Sequence, residues 1–151
     1  MKHDSLVCGR RPSGFTAGRV TRITGRALAD RGSADVIFLT RDAMKKLNRR
    51  FRGQARATDV LSFSPAKLPG QDKSRKRGEI FVASVVVREN ARRLKRPYAE
   101  EMVRVLVHGA LHLAGYDHAT LRQERVMFAK QERLVESLKS KVKSRPVKKK
   151  G

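Results

Sequence analysis

The sequence predicts a single α/β domain, and three observations lead there. Its 151 residues are one domain's worth by ordinary scaling, enough to bury a core without disulfides. Short apolar runs that read as strands alternate along the chain with stretches in which apolar residues recur every three or four positions. No internal repeat or composition break divides residues 1–138, and only a lysine-rich stretch at 139–151 departs from the pattern.

Residues 1–14 are polar and broken by glycine and proline, with Leu6-Val7-Cys8 as a short edge strand. From Phe15 to about Asp30 the spacing of Val20, Ile23, Ala27 and Leu28 predicts a helix, with Gly32 as its stop. Val36–Leu39 reads as a buried strand, and Thr40 caps a helix facing inward through Ala43, Met44 and Leu47 and ending near Asn48. Residues 49–56 then form a basic loop. Thr58–Phe63 alternates as a strand does, and Pro65 ends it. Lys67–Arg77 is a second basic loop, with turn chemistry at Pro69-Gly70. Glu79–Ala83 is a further strand, after which Ser84 caps a helix that Pro97 forbids beyond Leu94. The next helix spans about Ala99–Ala114, with Gly115 suited to the left-handed position beyond its end. Thr120 and Gln123 form a capping box for a last helix, buried through Leu121, Met127, Phe128, Leu134 and Leu138. Residues 139–151 read as a solvated, disordered tail.

Charge narrows the function. Thirty-six lysines and arginines face 14 acidic residues, a formal charge of +22, and so large an excess points to a polyanion, nucleic acid above all. Seven of the basic residues crowd into 139–150, but the body is strongly basic without them. Only 5% of residues are aromatic, so stacking platforms for bases are scarce and a grip on RNA must rest on arginine and lysine. No apolar run approaches the roughly 20 residues that span a bilayer. The lone cysteine, Cys8, has no internal partner, and the N-terminus lacks an apolar region of secretory length. The expected setting is the cytoplasm.

Three of the four histidines lie close together in His108-Gly-Ala-Leu-His-Leu-Ala-Gly-Tyr-Asp-His118. On a helix His108 and His112 project from one face, a turn apart, as two ligands of one metal require. Gly115 lets the chain double back so that His118 can offer a third nitrogen, which sets the metal site at the end of one helix and in the loop after it. Three neutral imidazoles without a thiolate suit Zn²⁺ in an open site. A polar helix stripe with a capping histidine has the same residue types, but the clustering and the helix breaker favour the metal. The spacing also matches the metzincin proteases, with one departure. Their glutamate base is replaced by Gly109, which removes the group that activates water for peptide hydrolysis.

The run from His108 to His118 resembles the signature of the YbeY family, bacterial metal-dependent endoribonucleases that take part in ribosomal RNA maturation. Leu47-Asn48, Phe51-Arg52-Gly53, Thr58–Phe63 and Gly78-Glu79-Ile80 match further blocks of that family in the same order. The resemblance covers the chain from about Val36 to the end of the last helix. It departs at the weakly apolar first strand, at Ser64, where the family usually has proline, and in the lysine-rich tail. It implies a small mixed sheet packed with helices, a site in which His108, His112 and His118 hold one Zn²⁺, and a catalytic Arg52 near the metal. It also implies single-stranded RNA as substrate, the precursor of small-subunit ribosomal RNA and its 3′ end in particular, with the small ribosomal subunit and assembly factors as partners in quality control.

Chemically, a guanidinium at Arg52 can clamp a phosphate bidentately, and zinc lowers the pKa of its bound water toward about 7. Arg49, Arg50 and Arg56 read as charges that track the RNA backbone. Asp59 and Asp117 are candidates either to orient a ligand imidazole or to close turns. Glu79 suits pairing with an arginine as well as function, and Tyr116 reads as packing. No general base is identifiable, and either water or the RNA 2′-hydroxyl can be the attacking group. The competing reading is a non-catalytic ribosome-assembly factor with a structural metal, which loses its fold when a histidine is removed.

Overall fold

The computed structural model describes residues 9–29, 31–64 and 76–143. Among them five helices and three strands follow one another as α1 (Ala17–Leu28), β1 (Ser33–Leu39), α2 (Arg41–Arg52), β2 (Val60–Phe63), β3 (Lys76–Ala83), α3 (Ser84–Leu94), α4 (Tyr98–Leu113) and α5 (Leu121–Lys143). The sheet has the order β1-β3-β2, with β1 parallel and β2 antiparallel to the central β3. It is the small mixed sheet expected, in a single α+β domain.

Side chains of a strand alternate between faces, and β3 shows both. Ile80 and Val82 join the larger core, built with α1, α4 and α5, whereas Phe81 and Ala83 join a second cluster with Ala43, Met44 and Leu47 of α2. Both faces are therefore covered, which is why β3 reads as an unbroken apolar run rather than an alternating one. Helix α4 is the hub of the larger core. It is buried almost all round, from Met102 to Leu113, and rests on the sheet at Gly109, whose carbonyl accepts a 3.0 Å hydrogen bond from Ser62 Oγ.

Local chemistry sets most boundaries as expected. Thr16 and Thr40 accept from the backbone N–H of Arg19 and Ala43, and Thr120 and Gln123 cap each other reciprocally. Five expectations are corrected. Helix α2 runs one turn past Asn48, because Gly53 in the left-handed region (φ 68°) closes it at Arg52 and three arginines in the last turn suit the negative end of the dipole. Strand β3 begins at Lys76, not after Arg77, through pairing with β1. Ser84 is the first helical residue rather than the cap; Ala83 takes that place, and the buried Ser84 hydroxyl has no partner among the described residues. On α5, Leu121 and Phe128 are exposed at 74% and 60%, since the inward stripe is Met127, Gln131, Leu134, Val135 and Leu138. That helix also continues to Lys143, with Lys139 Nζ 2.7 Å from Glu100 Oε1, so it extends five residues into the stretch read as a tail.

The Leu6–Cys8 strand, most of the second basic loop and the end of the tail lie outside the described residues. Gly9 is described, and its N–H donates to the Phe38 carbonyl at 2.7 Å beside β1. None of the helices among the described residues is long and apolar enough to cross a membrane.

Candidate metal centre

Helix α4 carries the centre at its C-terminal end. His108 and His112 stand one turn apart with ring centroids at 4.7 Å. Beyond Leu113 the helix closes in a Schellman arrangement: the N–H of Gly115 donates to the His112 carbonyl and that of Tyr116 to Leu111. Gly115 takes φ 104°, where a side chain would be strained. Tyr116 packs against the core as read, and the chain returns to bring the His118 ring to 4.9 Å from His112 and 6.2 Å from His108. One ring nitrogen from each of the three lies within 4.8 Å of the others. Three nitrogens on one zinc stand about 3.3 Å apart, so small side-chain rotations close the set on an ion.

His112 is in the right state to bind. Burial, and then the neighbouring imidazoles of His108 and His118, push the His112 pKa down from its ordinary 6.5 to about 4, so its ring is neutral near pH 7. A proton is accordingly taken up by the unfolded chain before the folded one. The metal-free protein is expected to keep its full stability above pH 6.5 and to lose part of it as the pH falls toward 4. Denaturant titrations at pH 7 and pH 5 check this, and His112→Gln removes the drop.

The histidines open on a cleft of about 650 Å³ whose walls include Arg52, Asp59, Arg93, Arg96 and Arg104. Arg52 ends α2 and is held there by its neighbours. Phe51 leans on Phe63 of β2 at 5.1 Å, and buried Asn48 donates from Nδ2 to the Arg56 carbonyl at 2.8 Å, pinning the loop beyond. Arg52 is close enough to lower the His112 pKa further. Arg49, Arg50 and Arg56 are not among the described cleft walls; Arg50 lies over the Phe51 ring and Arg56 bonds Gln54.

Both aspartates line the cleft. Asp117 accepts from the N–H of His118 at 2.7 Å, which closes the turn, and its charge raises the His112 pKa against the burial that lowers it. Burial pushes the Asp59 carboxyl up, while its interaction with His108 pulls it down. The group that hydrogen-bonds to His108 is one the sequence reasoning missed: buried Gln131 of α5, whose Oε1 is 2.8 Å from His108 Nδ1. Its signal was available, a polar residue on the apolar stripe between Met127 and Leu134. Arg93 and Arg96 of α3 were missed as well, because nothing local places them beside the histidines.

Fold and site together define a mixed α/β protein with an open three-histidine centre in an arginine-lined cleft. Residues 20–139 match the family model described as Endoribonuclease YbeY. Among similar proteins, Endoribonuclease YbeY of Thermotoga maritima is 42% identical over 113 residues, 74% of this chain and 71% of the relative. The Persephonella marina protein of that name is 39% identical over 106 residues, 69% of each. The solution structure of TM1509 from Thermotoga maritima superposes with a TM-score of 0.64 at 32% identity, over 93% of both chains. The chain belongs to the Endoribonuclease YbeY family.

Proposed function

We propose that this protein is a zinc-dependent endoribonuclease acting on single-stranded RNA, in maturation of the 3′ end of small-subunit ribosomal RNA and in ribosome quality control. The observation that carries the catalytic reading is the open cluster. Three imidazoles converge at an arginine-lined cleft, whereas a structural zinc is closed by four protein ligands. The charge of +22 supports a polyanionic substrate and association with the small ribosomal subunit and its assembly factors.

His108, His112 and His118 would hold the ion, and neutral imidazoles without a thiolate favour zinc. Bound there, a divalent cation supplies Lewis acidity to a phosphoryl oxygen and lowers the pKa of water toward about 7. Arg52 donates two parallel hydrogen bonds to the scissile phosphate and offsets the charge that grows on its oxygens as the P–O bond breaks. Arg93, an exposed wall of the same cleft, holds a flanking phosphate. A cleft reached by a few arginines accepts a flexible strand or loop more readily than the deep groove of an A-form duplex.

Labelled single-stranded RNA tests the reading. Arg52→Ala is expected to lower kcat/KM about 10²- to 10³-fold with metal content unchanged, and Arg52→Lys to recover only part, since it keeps the charge and loses the fork. Arg93→Ala is expected to weaken binding and reduce the salt slope by about 1. Stoichiometric metal with no turnover on RNA or on small-subunit precursors would instead mark an assembly factor.

A further inference from the structure

Behind His108 lies a chain of polar contacts that the reaction itself does not use. Gln131 Oε1 faces His108 Nδ1 at 2.8 Å, and Gln131 Nε2 donates to Glu132 Oε2 at 3.1 Å. Glu132 is gripped at both oxygens by Arg104, from Nε and Nη2 at 2.9 Å each. Arg104 stands on α4 one turn before His108 and also donates to Glu101 at 3.2 Å. Gln131 is 8% exposed, so its amide depends chiefly on these two partners.

The chemistry of these groups admits one arrangement. The hydrogen bond from Arg104 holds the Glu132 carboxyl below the usual carboxylate range, and a carboxylate only accepts. The amide –NH₂ of Gln131 must therefore turn toward Glu132, which leaves its oxygen toward His108. Facing an acceptor, a neutral His108 ring must carry its proton on Nδ1, and the lone pair of Nε2 is then the one free to enter the metal cluster.

We propose that Gln131 is a positioning residue: held by Glu132 and Arg104, it fixes His108 in the Nδ1–H tautomer and so presents Nε2 to the metal. The inference deepens the reading of the three histidines as a metal centre and rests on it. Arg104 and Glu132 join α4 to α5, so the ring of one ligand is registered against a helix that supplies no ligand. Without the amide oxygen the two tautomers compete and the ring is free to turn, and binding must then order it.

The test uses the full-length protein. Zinc affinity is measured by competition with a chromophoric chelator, and the His108 tautomer in metal-free protein by long-range proton–nitrogen correlation at pH 8. Gln131→Met keeps the volume and removes the acceptor. It is expected to bind zinc about 10- to 100-fold more weakly, with His108 shifted toward the Nε2–H form and the metal-free melting temperature within a few degrees of wild type. Glu132→Ala leaves Gln131 in place and releases its amide; a several-fold loss of affinity with a mixed tautomer is expected, and this variant carries the test if Gln131→Met does not fold. Wild-type affinity in the folded variants with His108 still protonated at Nδ1 overturns the proposal. Failure of the wild-type protein itself to bind zinc at the histidines overturns the metal centre, and this inference with it.

Discussion

His112→Ala is expected to lose stoichiometric zinc and to cleave RNA at least about 10³-fold more slowly than wild type. His112 is the middle of the three rings, within 5 Å of both others, so its removal leaves two donors on opposite sides of a gap. Several kcal/mol of transition-state stabilisation rest on a metal in such a site, and each 1.36 kcal/mol is tenfold in rate. The fold should survive. The ring is half-buried and neutral near pH 7, so alanine strands no buried charge, and with both proteins metal-free, so that zinc does not stabilise wild type alone, the stability loss is expected to stay within about 1 kcal/mol. Cleavage assays on both proteins purified side by side, with metal analysis and thermal melting, read all three quantities. An unfolded His112→Ala protein would support a structural metal, and equal cleavage by both would move the activity away from the histidines.

Substitution of Gly109 is expected to have the largest effect on stability. A Cβ there would lie 2.8 Å from Ile80 Cγ2 and 3.0 Å from Ser62 Oγ, with Val60 Cγ2 at 3.3 Å. Ile80 is fully buried on the central strand and cannot retreat into solvent, so α4 must lift from the sheet or Ile80 must leave its rotamer. Overpacking of this kind costs about 1–3 kcal/mol, and for a chain of this length each kcal/mol lowers Tm by about 2–4 °C. Gly109→Ala should melt several degrees below wild type by calorimetry and bind zinc more weakly, because His108 moves with the helix. Gly109→Glu should cost at least about 3 kcal/mol, since it adds a buried carboxylate to the clash. At the position of the glutamate missing from the metzincin spacing, a side chain would start against Ile80 and Ser62, so a base placed there would first have to displace the packing of helix on sheet.

Several of these features were legible in the residues alone, and they share a cause. The helical spacing of His108 and His112, the break at Gly115 and the capping box at Thr120 each depend on a few neighbouring residues and on backbone chemistry that holds in any fold. The mixed sheet and Arg52 came from family likeness rather than periodicity, and the structure places Arg52 in the cleft wall. Sequence reading went wrong where a local preference met a tertiary partner. Phe128 is apolar but lies beside the stripe that meets the core, and the last turn of α2 read as a loop because four basic residues surround Phe51, which Phe63 then anchors.

By itself the sequence determined that this is a basic, single-domain α/β protein with three histidines prepared to meet at the end of one helix. Only the tertiary structure decided that Gln131, 23 residues along the chain, bonds to His108, that Arg93 faces the same cleft as Arg52, and that Gly109 is where helix and sheet touch. The physical reason is range. Turns, caps and periodicity are settled within a few residues, whereas the contacts that orient a ligand ring and line a cleft depend on how whole helices pack, and that is set by the sum of many weak side-chain contacts over the whole core.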